Sequence, residues 1–97
     1  MKYDWDKNKA EANIKSHNVS FEEAVLVFTD GWAIQEYDDA HSDIAEKRFT
    51  IIGLAETRLL RVTYTVENDE IIRIISAGEA EGVEIKDYEY SRNKFDW

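Results

Sequence analysis

Leu59-Leu-Arg-Val-Thr-Tyr-Thr-Val66 and, beyond residues 67–70, Ile71-Ile-Arg-Ile-Ile75 decide the fold. In the first stretch Leu60, Val62, Tyr64 and Val66 alternate with Leu59, Arg61, Thr63 and Thr65, the period of a strand with one apolar and one mixed face. The second is apolar on both sides apart from Arg73, which marks a central strand. Working outward, Val, Ile, Thr and aromatic residues rise sharply after Trp32, and strands are expected at about 33–38, 48–55, 59–66 and 71–76. Residues 55–58 and 67–70 read as hairpin turns, and the acidic stretch 38–46 as an exposed connection. The second turn leaves two registers open. A two- or four-residue turn sets Tyr64 across from Arg73, with Arg61 on the opposite face near Ser76; a three-residue turn sets Arg73 beside Thr65, on the face of Arg61.

Upstream of Trp32 the pattern is helical. After an extended start at Lys2 to Trp5, Asp6 is an N-cap, and Ala10, Ile14 and His17 recur at helical spacing over about three turns. Asn18 tolerates the left-handed conformation that closes a helix. Ser20-Phe-Glu-Glu23 has the form of a capping box, with Val19 and Ala24 placed as a hydrophobic staple. Phe21, Ala24, Val25 and Phe28 then form one apolar face of a second helix that ends at Asp30-Gly31. Residues 79–93 have helical composition, with Gly82 weakening the first turn. Helices, then an antiparallel sheet, then a terminal helix make an α+β domain over 1–97.

Composition narrows the function classes. Among 97 residues, 21 Asp and Glu face 12 Lys and Arg, a formal net charge of −9 that argues against non-specific nucleic-acid binding. There is no cysteine, which removes disulfides and thiolate chemistry. No apolar run approaches the roughly 20 residues of a membrane span, and a cytoplasmic protein is expected.

Several stretches, in order, resemble the BrnT toxins of type II toxin–antitoxin systems. They are Trp5-Asp6 opening a helix, Asn13 to His17, Val19-Ser-Phe-Glu-Glu-Ala24, Glu46-Lys-Arg-Phe49 leading into Ile52-Gly-Leu54, and Ile72-Arg-Ile-Ile-Ser-Ala77. The resemblance implies a RelE-like fold with two N-terminal helices on a mostly antiparallel sheet. It also implies an endoribonuclease without cofactor or metal that arrests translation, a BrnA-type antitoxin as partner, and DNA contact only through the antitoxin complex. Metal-independent RNA cleavage needs a group to activate the 2′-hydroxyl, a group to protonate the leaving oxygen and cations for the phosphorane. The candidate catalytic residues are His17, Arg48, Arg61, Tyr64 and Arg73, with Lys15 and Arg58 for RNA binding.

The chain also departs from the family pattern, in which one or two basic residues and a basic terminal helix follow Ile-Ser-Ala. Here Gly78-Glu79-Ala80-Glu81-Gly82 stand in that place, and residues 76–91 hold five acids against Lys86 alone. Reduced or absent activity is therefore expected, the alternative being an inactive scaffold that binds a protein or regulates an operon. Each candidate also has a plainer role. His17 at a helix end can cap carbonyls, Arg48, Arg61 and Arg73 can pair with acids, and Trp32, Phe49 and Tyr64 can pack. Asp38-Asp39-Ala-His41 has some look of a metal site but lacks a second His or a Cys. Tyr88, Tyr90, Phe95 and Trp97 can lie on the domain or on a partner.

Overall fold

The Asp6 carboxylate accepts from the amides of Asn8 and Lys9 at 2.8 and 3.1 Å and opens α1 (Lys7–His17) in a computed structural model that describes residues 1–94. Those two amides, Lys9's foremost, hold the Asp6 carboxyl below its ordinary range. Asn18, at φ 55°, closes the helix in the left-handed region. Ser20 Oγ accepts from the Glu23 amide at 3.0 Å and opens α2 (Phe21–Val25). The reciprocal half of the expected capping box is replaced, because the Glu23 carboxylate binds Arg58 at 2.6 and 2.7 Å. After α2 the chain tightens into a 3₁₀ turn, Leu26–Thr29, which turns Val27 inward beside the fully buried Phe21 and Ala24.

The strands β1 (Lys2–Trp5), β2 (Ile34–Tyr37), β3 (Arg48–Ala55), β4 (Arg58–Glu67) and β5 (Ile71–Glu79) form one sheet in the order β1-β5-β4-β3-β2. β1 runs parallel to β5 and the other neighbours are antiparallel, so the α+β expectation holds and β5 is internal. Glu67 pairs with Ile71, which leaves a three-residue turn with Asn68 and Asp69 at positive φ and puts Thr65 opposite Arg73. Thr63 then pairs with Ser76 and Tyr64 with Ile74, so Ile75 is the extra residue of a bulge. β5 reaches Glu79, because Gly78 and Glu79 still pair with Arg61 and Leu60, and α3 therefore spans Gly82–Asn93 rather than starting at 79.

One face of the sheet carries the core: Ile51, Leu60, Val62, Ile72, Ile74 and Ala77 pack beneath Val19, Phe21, Ala24 and Val27. Aromatic rings run across it from Tyr3 through Phe28, Tyr64 and Phe49 to Tyr37, with centroid separations of 5.0–5.6 Å. Gly53 sits where the 3₁₀ turn meets β3. A Cβ there would lie 2.9 Å from Ala33 Cβ and from Val27 Cγ1, so the Ile52-Gly-Leu54 motif needs its glycine for close approach. α3 crosses the other face and contributes one buried residue, Tyr88, whose hydroxyl donates to Asp30 at 2.6 Å. Phe95 and Trp97 lie outside the described residues.

Candidate active site

The strand period that sends Tyr64 into the core sends its neighbours to the opposite face. There the pairing aligns Arg48, Thr65 and Arg73 in one row, Thr50, Thr63 and Ser76 in the next, and Ile52, Arg61 and Gly78 in a third. Arg48, Arg61, Thr50, Thr63 and Ser76 floor a cleft of about 640 Å³. Its walls are acidic, with Glu36 and Asp38 on one side and Glu84 and Asp87 of α3 on the other.

His17 reaches the rim of this face from the last residue of α1. A Cβ built on Gly78 would lie 3.8 Å from His17 Nδ1 and 4.0 Å from Arg61 Nη2, so the imidazole and the guanidinium both approach one point above the Gly78 backbone. No glycine among the described residues has positive φ, and those separations are ordinary van der Waals contact, so a Cβ fits at 78 without backbone strain.

Each arginine on this face has an acid beside it. Arg61 Nη1 lies 3.4 Å from Glu84 Oε2, while Glu84 Oε1 accepts from the Glu81 amide at 2.9 Å, so this carboxylate both starts α3 and faces the cleft cation. Arg48 Nε bonds Glu46 at 2.8 Å. Arg73 Nη1 bonds Asp4 at 2.7 Å across the parallel β1–β5 pair, with Glu67 at 3.9 Å. These groups are partly exposed, so the pairs compete only weakly with a phosphate.

The other candidates stand apart. Arg58 bonds Glu23 twice and the Asn18 carbonyl at 2.8 Å, with Glu79 at 3.4 Å. It ties α1, α2 and β4 together. Its bonds to Glu23 raise its already high pKa, and the same bonds hold the Glu23 carboxyl below its ordinary range. Tyr64 is 5% exposed, between Phe28 and Phe49, and burial pushes its hydroxyl pKa up. With the three-residue turn it lies on the face away from Arg61 and Arg73. Lys15 is exposed and, two positions before His17, projects from a different side of α1. His41 Nδ1 lies 2.9 Å from Asp38, and no group of three or more His, Cys, Asp or Glu among the described residues is arranged to hold a metal.

Asn13 escapes a reading by hydrophobic period, because it is the buried residue of α1 while Ile14 is about half exposed. The available signal was an Asn in a helix interior, where its propensity is poor unless the amide has partners. Asp30 was missed too. Burial raises its pKa, but the Tyr88 hydroxyl and the amides of Leu54 and Trp32 outweigh that and leave it lowered. Tyr88 in turn is pushed up to about 12 by burial and by its bond to Asp30.

A family model described as "Ribonuclease toxin, BrnT, of type II toxin-antitoxin system" matches residues 5–84. The crystal structure of the Brucella abortus ribonuclease toxin BrnT superposes with a TM-score of 0.63 at 21% identity, covering 84% of this chain and 99% of that one. At that identity the likeness is one of fold. The comparison with curated proteins returned no match. Among the described residues, no helix is long and apolar enough to cross a membrane. The sequence match spans α1, α2 and every strand but the first three residues of β1, and it stops just inside α3. The chain belongs to the BrnT family of ribonuclease toxins of type II toxin–antitoxin systems.

Proposed function

We propose that this chain is a cytoplasmic endoribonuclease toxin with a RelE-like fold, restrained by a BrnA-type antitoxin, in which catalysis is attenuated by the loss of a cation after Ala77. The observation that carries the reading is the point above Gly78, between His17 Nδ1 and Arg61 Nη2. A phosphodiester seated there meets a proton-transfer group on one side and a guanidinium on the other. His17 takes the proton of the 2′-hydroxyl as that oxygen attacks phosphorus. The P–O5′ bond breaks, leaving a 2′,3′-cyclic phosphate, and the departing 5′ oxygen takes a proton from water, which the His17 imidazolium then reprotonates. Arg61, with Arg48 further along the face, stabilises the added negative charge. A basic side chain at 78 would reach the same phosphate, and here that position ends at Cα.

A second reading has its own observation. Glu84 occupies the approach to Arg61, and the cleft walls carry Glu36, Asp38 and Asp87, which favours a scaffold that binds a protein without cleaving RNA. Induced expression separates the two. Under the first reading, Gly78→Arg with Glu79→Lys restores growth arrest and translation inhibition while the unaltered chain arrests growth weakly or not at all. Strong arrest by the unaltered chain contradicts attenuation. Arrest by neither chain leaves the scaffold.

A further inference from the structure

Beyond Trp5 the parallel partner of β5 ends, because the chain turns into α1, and the edge of β5 at Ala77 is left without a strand. Asn13 fills that gap. Its Oδ1 accepts from the Ala77 amide at 3.1 Å and its Nδ2 donates to the Ala77 carbonyl at 2.8 Å, so one side-chain amide makes the two bonds a neighbouring strand would make. The second hydrogen of Nδ2 donates to the Val19 carbonyl at 2.9 Å, which fastens the α1–α2 connection to the same point. The residue is buried, and only a carboxamide supplies two donors and an acceptor in this arrangement. A carboxylate would face two carbonyls, and an aliphatic side chain would leave three backbone groups unpaired.

The placement bears on the site. Ala77 lies between Ser76 and Gly78, both on the cleft face, and His17 follows Asn13 by one helical turn on the same side of α1. We infer that Asn13 is a positioning residue: it pins α1 to β5 at Ala77 and thereby holds His17 over Gly78 beside Arg61. This inference rests on the proposal that a phosphodiester is handled at that point, and it concerns geometry that can be read without catalysis.

Nuclear magnetic resonance of the full chain tests it with inorganic phosphate as the probe. In the unaltered protein the His17 ring shows a nuclear Overhauser contact to Gly78 Hα, and phosphate shifts the His17 resonances. In folded Asn13→Ala that contact disappears and the phosphate midpoint rises by about tenfold or more, because misplacement of roughly an ångström is costly at a reacting centre. Val27→Ala, a core truncation away from the site, is the control and keeps both signals despite its lower melting temperature. An unchanged contact and midpoint in Asn13→Ala, or their equal loss in Val27→Ala, overturns the inference. If Asn13→Ala does not fold, hydrogen exchange in the unaltered chain decides: the Asn13 carboxamide and the Ala77 amide must be protected together, and rapid exchange of either one overturns the pin. Absence of any phosphate response in the unaltered chain tells against the catalytic site, and the His17–Gly78 contact still decides the role of Asn13.

Discussion

The two faces of the sheet share every strand and differ in almost everything else. Against α1 and α2, Leu60, Val62, Tyr64 and Ile74 are nearly inaccessible and close a core with Phe21 and Val27. One residue along each strand, Arg61, Thr63 and Arg73 are only partly covered, and α3 lies over the Arg61 end of that face with a single buried side chain. Alternation thus lets the same backbone be rigid on one side and chemically available on the other. The packed face sets where the polar face holds its groups, so damage to the first unfolds the protein while damage to the second alters binding.

The sharpest contrast is expected for Phe21→Ala. Phe21 is fully buried beneath Trp5, and its truncation costs about 3–5 kcal/mol in denaturant unfolding. A loss under about 1 kcal/mol would mean that the packed face does not carry the stability.

Smaller, and dependent on pH, is the latch of α3. Tyr88→Phe removes the bond to Asp30 and costs about 1.5 kcal/mol at neutral pH, measured the same way. Asp30 is held below its unfolded pKa, so its share of stability is present above that value and lost as pH falls through the folded one. Tyr88 is held above its unfolded value, so its share is present below about pH 10 and lost as pH rises toward about 12. The gap between wild type and Tyr88→Phe should therefore close at both extremes. A constant gap across pH would show that the latch is not ionic.

The smallest stability effect belongs to the polar face. Glu84→Gln keeps an oxygen for the Glu81 amide but removes the charge facing Arg61, so stability changes by less than about 0.5 kcal/mol while affinity for inorganic phosphate rises. Unchanged phosphate affinity would show that Glu84 does not compete for Arg61.

Much of this contrast was legible in the chain. The alternation from Leu59 to Val66 identifies both faces of β4, and Asp6, Asn18 and Ser20 mark their helix ends by chemistry that acts within a few residues. What stayed hidden depends on distant partners or on turn geometry. The register of Arg73 turned on Asn68 and Asp69 both adopting positive φ, with the bulge at Ile75 keeping the face of β5 consistent. Arg58 looked available for RNA because Glu23 is 35 positions away, and that carboxylate left the expected capping box to meet it. The helical spacing of Ala10, Ile14 and His17 pointed past Asn13, whose burial follows from Ala77, 64 positions on. The site was partly visible as a set of cations on strands, but the approach of His17 to Arg61 over Gly78 is tertiary.

In the proposed mechanism the point between His17 and Arg61 is a cleavage site lacking one cation. Cleavage of single-stranded RNA by the purified protein tests it most directly, comparing the unaltered chain, Gly78→Arg with Glu79→Lys, and that pair combined with Arg61→Ala. The prediction is weak or no cleavage by the first, cleavage yielding 2′,3′-cyclic phosphate ends by the second, and loss of that gain in the third. Cleavage by the unaltered chain as fast as by the restored one, or a restored activity indifferent to Arg61, would contradict it.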